Sequence, residues 1–129
     1  MKTPKEICKD IFAYINGTEL KDAITGVVSY NGRKTDREDC CIQLQDNMTA
    51  QVQECFVYVR IYVKDIVSDG KDVEDISRTE VLERLCSEVL ESGFGDDFRF
   101  DLDQQLTLKV ADRDEHCITN RLDYKHFNG

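Results

Sequence analysis

The clearest pattern of apolar and polar positions lies in the middle of the chain, from Gln51 to Lys64, in the sequence QVQECFVYVRIYVK. Alternate positions there are aliphatic or thiol in one set and aromatic or charged in the other. The first set is Cys55, Val57, Val59, Ile61 and Val63, and the second is Phe56, Tyr58, Arg60, Tyr62 and Lys64. A period of two predicts a β-strand whose faces meet different environments. We expect a helix over the aliphatic face, and water or a partner against the aromatic face.

This strand is also long. At roughly 3.3 Å per residue the run spans about 45 Å, so part of it should project beyond the core of a small domain and contact other subunits. Four residues of its second face, Phe56, Tyr58, Arg60 and Tyr62, are of types enriched at protein interfaces. The alternative is that their side chains pack under a loop or form ordinary cross-strand pairs.

An amphipathic helix is predicted near the start of the chain. Thr3 can cap it, Pro4 suits its first position, and Glu6 completes a capping box. Apolar residues then recur at helical spacing, at Ile7, Cys8, Ile11, Tyr14 and Ile15. Gly17 predicts the end of this helix as a C′ residue. A short further helix is predicted over residues 19–24.

A second main helix is predicted from about Ser77 to Ser92, with Gly93 as its C-cap. Its apolar stripe is formed by Leu82, Leu85, Cys86, Val89 and Leu90. The acidic segment from Asp65 to Asp75 contains Gly70 and is predicted to be a loop. The segment from Arg33 to Asp39 is highly charged, has no hydrophobic period, and is predicted to be mobile.

Shorter alternating runs predict the remaining strands, at residues 27–30, 40–45, 98–103 and 106–110, and from residue 118 to near Phe127. Turns are predicted at residues 46–49 and 93–96. The first of them is short, so the strands on either side of it should pair in antiparallel fashion. Because strands outnumber helices, we expect an α+β fold, a two-layer sandwich with a mostly antiparallel sheet and the two main helices on one face. One domain over residues 1–129 fits this length.

Composition narrows the class of partner. The net charge is −9, which repels phosphate, so no specific contact with nucleic acid is expected. The sequence has no apolar run of the roughly 20 residues that cross a bilayer, and no signal-peptide pattern at its start. These features predict a cytoplasmic protein in a reducing compartment, without membrane contact. The six cysteines are expected to be free and buried, since most occupy apolar positions.

The sequence carries no catalytic signature: we find no zinc-protease motif, no serine nucleophile elbow and no phosphate-binding loop. The best cation candidates are Asp96, Asp97, Asp101 and Asp103. We expect Asp97, Asp101 and Asp103 on one strand face. A second acidic group near the C-terminus consists of Asp112, Asp114, Glu115, His116, Cys117 and His126, whose spacing fits no zinc pattern. The alternative interpretation of both groups, which we favour, is a solvated charged surface.

The order of elements resembles the tail-terminator or tail-completion proteins of long-tailed phages. The likeness is carried by four segments, TPKEICKDIFAYING, CFVYVRIYVKDI, VLERLCSEVLESG and FRFDLDQ…EHCITNRLDYK. It is a likeness of architecture over most of the chain, without a residue signature. It implies a non-enzymatic protein, with no cofactor, that assembles into a ring, commonly a hexamer. Such a ring caps the tail tube and joins it to the head connector of the virion.

Two other functions remain open from the residues themselves. One is a small metal-dependent hydrolase that uses Asp97, Asp101, Asp103 and His116. The other is a cytosolic interaction module that presents its acidic surface to a basic target.

Overall fold

The computed structural model describes residues 2–45 and 54–127, and within these ranges it contains three helices and eight strands. The helices are α1 Pro4–Asn16, α2 Glu19–Ala23 and α3 Ile76–Leu90. The strands are β1 Val28–Ser29, β2 Cys40–Leu44, β3 Glu54–Lys64, β4 Ile66–Ser68, β5 Lys71–Val73, β6 Ser92–Phe94, β7 Phe98–Lys109 and β8 Glu115–His126. The protein is therefore α+β, as predicted, with a mostly antiparallel, curled sheet and two substantial helices.

The main sheet has six strands in the order β1-β2-β3-β8-β7-β6. Only β1 and β2 run parallel, and every other neighbouring pair is antiparallel. The long strand lies between β2 and β8, and its antiparallel pairing with β2 is confirmed. The start of the predicted strand, residues 51–53, and the predicted turn at 46–49 lie outside the described residues.

One face of this sheet shares a hydrophobic core with the helices. On β3 the predicted aliphatic set is fully or almost fully buried, while the alternate residues are half-buried or exposed. From β8 the core receives Ile118, Leu122 and Tyr124, and from the two main helices it receives Ile7, Ile11, Ile15, Leu82, Cys86 and Leu90. The alternation read from the sequence thus places the correct face inward.

The N-terminal helix begins as predicted but ends differently. Thr3 and Glu6 form the reciprocal capping box, and Pro4 is the first helical residue. Gly17 follows the last turn with φ of −90°, so it does not adopt the left-handed conformation of a C′ glycine. Instead, the backbone N–H groups of Gly17 and Thr18 donate to the carbonyls of Tyr14 and Ile15, each three residues earlier, and the α-helical pattern ends there.

Residues around the second main helix depart further from prediction. The segment from Asp65 to Asp75 is not a loop, because β4 and β5 form a two-stranded hairpin within it. Asp69 and Gly70 both have positive φ, the conformation of a tight hairpin turn. The helix starts at Ile76, after Asp75 accepts a hydrogen bond from the Arg78 backbone N–H.

Gly93 is not the C-cap of this helix, which ends at Leu90. It belongs to β6, where a Cβ atom would lie 2.5 Å from the ring of Phe100. A glycine is needed here because the edge strand packs closely against an aromatic ring. The turn predicted at residues 93–96 begins one to two residues later, after β6 ends at Phe94.

The two strands predicted at 98–103 and 106–110 are one strand, β7, which pairs with β8 along its length. A β-bulge between Leu102 and Gln104 shifts the register by one residue. The polar run of Asp103, Gln104 and Gln105 is why two separate strands were predicted. A bulge places one extra residue in one strand of an antiparallel pair, and the pairing continues on both sides of it.

The segment from Arg33 to Asp39 is held in place by hydrogen bonds to a buried carboxylate, which argues against the predicted mobility. The Asp39 side chain is fully buried and accepts hydrogen bonds from the backbone N–H groups of Val27, Lys34 and Thr35 and from the Thr35 hydroxyl. Hydrogen bonding, rather than apolar periodicity, orders this segment. A hydrophobic pattern gives no signal for that kind of order.

Candidate interaction surface

The face of the main sheet opposite the core is called the open face here. It contains all four predicted interface residues, Phe56, Tyr58, Arg60 and Tyr62, which are half-buried. Opposite them on β8 lie Asp123, Arg121, Thr119 and Cys117, in that order. The structure therefore brings the predicted residues together on one surface, and adds a second row of polar and charged side chains beside them.

Each ring on this surface is covered by a guanidinium group of the same chain. The Cζ atom of Arg60 lies 4.5 Å from the centroid of Tyr58, and that of Arg121 lies 4.6 Å from the centroid of Phe56. The Cζ atom of Arg33 lies 4.4 Å from the Tyr62 ring. Cation–π contacts of this kind contribute about 0.5–1 kcal/mol at exposed sites. They explain how a sheet face can carry three rings without exposing any of them fully.

Two leucines that were not predicted to lie there complete the open face. The bulge in β7 reverses the alternation, so Leu106 and Leu108 lie opposite Thr119 and Cys117 on the open face. Their exposed fractions are 48% and 60%. The sequence carries no signal of this reversal, because both leucines keep the even numbering of Phe98, Phe100 and Leu102, which face the core. The register shift is visible only against β8.

The leucines, the tyrosines and the arginines enclose a concavity of ≈ 440 Å³. It is lined by Tyr58, Arg60, Tyr62, Leu106, Leu108 and Arg121, among others, and no carboxylate belongs to its lining. In a chain with a net charge of −9, a concave and apolar surface rimmed by guanidinium groups is a local exception. Such a surface suits a partner segment that is both apolar and acidic.

The arginines differ in how their charges are compensated. Arg33 donates two hydrogen bonds to the buried Glu115 carboxylate, at 2.6 and 2.7 Å, and Arg121 pairs with Asp103 at 2.5 Å. Arg60 donates to the neutral side-chain amide of Gln43, at 2.7 Å. Among residues 2–45 and 54–127, Arg60 has no carboxylate partner. The positive charge of Arg60 can therefore pair with a carboxylate of another molecule.

Two buried thiols, those of Cys41 and Cys117, lie beneath the open face. Burial raises the pKa of both Cys41 and Cys117, so the protonated form is favoured. His116 is adjacent to Cys117 in sequence but lies on the core side of β8, where its Nδ1 atom is 2.7 Å from the Asp65 carboxylate. All six cysteines are free and buried, as predicted.

The acidic residues proposed for metal binding do not assemble. Asp97 precedes β7 and pairs with Lys2 at 2.6 Å, while Asp103, at the bulge, pairs with Arg121. Asp101 on β7 lies opposite Asp123 on β8. His116 is also on β8 but seven residues from Asp123, which is roughly 23 Å along the strand. The hydrolase site of Asp97, Asp101, Asp103 and His116 is therefore not formed.

The C-terminal acidic group is divided in the same way. Glu115 is buried between Arg33 and Arg113, and His126 contacts the backbone carbonyl of Asp97 through Nδ1, at 3.2 Å. Within the described ranges, no group of three or more histidine, cysteine or acidic side chains is arranged to hold a metal ion. In the same part of the chain, no helix is both long enough and apolar enough to cross a membrane.

Comparison of the chain with protein-family models, with curated protein sequences and with solved structures finds no significant match in any of the three.

Proposed function

We propose that this chain is a non-enzymatic assembly protein of a phage or prophage, a ring-forming tail terminator or head–tail joining protein. The observation that carries the proposal is the open face, where Leu106 and Leu108 are exposed beside the guanidinium of Arg60, which has no carboxylate partner among the described residues. An apolar, concave sheet face in a small domain is a liability unless another surface covers it. Copies of the same chain are the simplest source of that cover.

The proposal includes the two-layer arrangement expected from the sequence. In it the two main helices cover one face of the sheet, and neighbouring subunits cover the other. The resemblance of the element order to tail-terminator proteins supports a closed ring, and the expected number of subunits in it is six. The further partners are the tail-tube protein and the head connector.

Native mass spectrometry across the micromolar range tests self-association. We expect a single closed oligomer at the higher concentrations, with no series of longer species. Addition of a tail-tube protein should stabilise the same oligomer, because a ring that caps a tube gains contacts from it. A strictly monomeric chain, both alone and with the tube protein, would contradict the proposal and favour a module that binds an unrelated partner.

A further inference from the structure

The hairpin of β4 and β5 is an exposed element with apolar side chains. All six residues of its two strands are exposed, and Val67 is 72% exposed. A two-stranded hairpin of this size has little stability of its own in water. Its apolar side chains would gain from a partner surface that the main sheet of the same chain does not provide.

The hairpin is anchored firmly at its base. Asp65, the residue between β3 and β4, is buried and bonds Lys109 and His116, each at 2.7 Å. Its backbone N–H donates to the carbonyl of Asp114 at 2.9 Å. The hairpin is thus held at the end of the central strand while its two arms remain in solvent.

One face of the hairpin combines an apolar and an acidic side chain. Val67 and Asp72 are directly opposite each other in the register, so their side chains lie on the same face. Asp72 has no ion-pair partner in the part of the chain that the structure describes. The hairpin therefore presents an aliphatic group beside a carboxylate that forms no ion pair within the described ranges, and this pair of groups complements the leucines and the Arg60 guanidinium of the open face.

We propose that the hairpin of one copy docks on the open face of the next copy, with Val67 against Leu106 and Leu108 and Asp72 paired with Arg60. The inference rests on the proposed self-association and specifies its two surfaces. Since the two surfaces differ, the contact is heterologous, and each copy keeps one hairpin and one open face for its neighbours. Contacts of this kind close into a ring when the rotation between copies allows it.

Charge reversal tests the contact. Arg60→Asp places a carboxylate opposite the acidic hairpin, and Asp72→Arg places a guanidinium opposite the basic open face. Each variant alone should self-associate roughly a hundredfold more weakly than the wild-type chain, as expected for a like-charge pair at an interface. Arg84→Asp and Glu88→Arg, at exposed positions of α3, are the matched controls and should leave association unchanged.

Mixing the two variants gives the decisive result. Every contact between an Arg60→Asp copy and an Asp72→Arg copy joins opposite charges, so an equimolar mixture should restore the oligomer with strict alternation. The double variant should also restore it. Sedimentation velocity measures the size, and native mass spectrometry of an isotope-labelled mixture measures the alternation.

Three outcomes overturn the inference in distinguishable ways. If Asp72→Arg associates as the wild type does, the hairpin is not at the interface, although the proposed ring can still exist. If both variants dissociate but neither mixture nor double variant recovers, the two residues do not face each other. If the wild-type chain itself stays monomeric, the proposed function fails, and this contact fails with it.

Discussion

Leu102 and Leu106 lie four residues apart on β7, yet they face opposite sides of the sheet. Leu102 is opposite Leu122 and packs against the core, whereas Leu106 is opposite Thr119 on the open face. In a regular strand two such residues share a face. The bulge at Asp103 separates them, and so determines which leucines stabilise the fold and which remain available for contact with other molecules.

The two leucines should respond differently to the same substitution. Leu102→Ala removes packing from the core and should lower the free energy of unfolding by about 1–3 kcal/mol. Leu106→Ala should change it by less than about 0.5 kcal/mol, because that side chain is half exposed. Denaturant unfolding of both variants measures this. Equal losses would show that the register shift is misplaced.

Gly93 and Gly17 form a second matched pair. Gly93→Ala forces the Phe100 ring to move, since the new methyl group would lie 2.5 Å from it, and should cost about 1–3 kcal/mol. The new methyl group of Gly17→Ala would meet the carbonyl oxygens of Tyr14 and Ala13 at 3.5 and 3.9 Å, which are ordinary contacts, and the residue has an ordinary φ. It should be neutral or slightly stabilising. A large loss at Gly17 in thermal unfolding would support the left-handed C′ geometry that the sequence suggested.

The ordered segment from Arg33 to Asp39 depends on the ion pair between Arg33 and Glu115. Arg33→Met leaves the buried carboxylate with Arg113 as its remaining partner, and should cost about 2 kcal/mol. It also removes the cation from the Tyr62 ring, so the segment should loosen. Limited proteolysis should cut the variant within this segment, while wild type and the exposed control Arg37→Met resist. Rapid cleavage of the wild-type chain within this segment would instead support the prediction that the segment is mobile.

Asp39 predicts a dependence of stability on pH. Burial acts to raise the pKa of Asp39, but hydrogen bonds from Thr35, Val27 and Lys34 outweigh it and lower the pKa to about 2. A carboxyl with a pKa below its unfolded value stabilises the fold above the unfolded pKa, and this stabilisation is lost as the pH falls towards the folded value. The difference of nearly two pKa units corresponds to about 2 kcal/mol at neutral pH.

Asp39→Asn should therefore unfold at lower denaturant concentration than wild type at neutral pH. The gap should narrow as the pH falls from about 4 to about 2, where the wild-type carboxylate becomes protonated. The control Asp36→Asn, at an exposed position of the same segment, should show a small effect at every pH. A gap that does not depend on pH would mean that the lost hydrogen bonds, rather than the charge, determine the cost.

Elements with a strong period could be predicted from the sequence. The two faces of the long strand and the start of α1 follow from the alternation around Val59 and from the capping box of Thr3 and Glu6. These features are local, so a single run of residues contains the necessary information.

Features that depend on contacts distant in sequence could not be predicted in this way. The bulge at Asp103 is visible only against β8, and the packing role of Gly93 requires Phe100 in place. The order of the segment from Arg33 to Asp39 depends on Glu115, which is 82 residues away from Arg33. The open face was recognised on β3 but lacked its leucines, because their orientation follows from the bulge.

The central claim is that the open face joins copies of this chain, and Leu108→Asp tests it most directly. Sedimentation velocity should show the wild-type chain as an oligomer at high micromolar concentration and Leu108→Asp as a folded monomer. Val81→Asp, on α3 with 56% exposure against 60% for Leu108, should remain oligomeric. An oligomer that survives Leu108→Asp unchanged would contradict the claim.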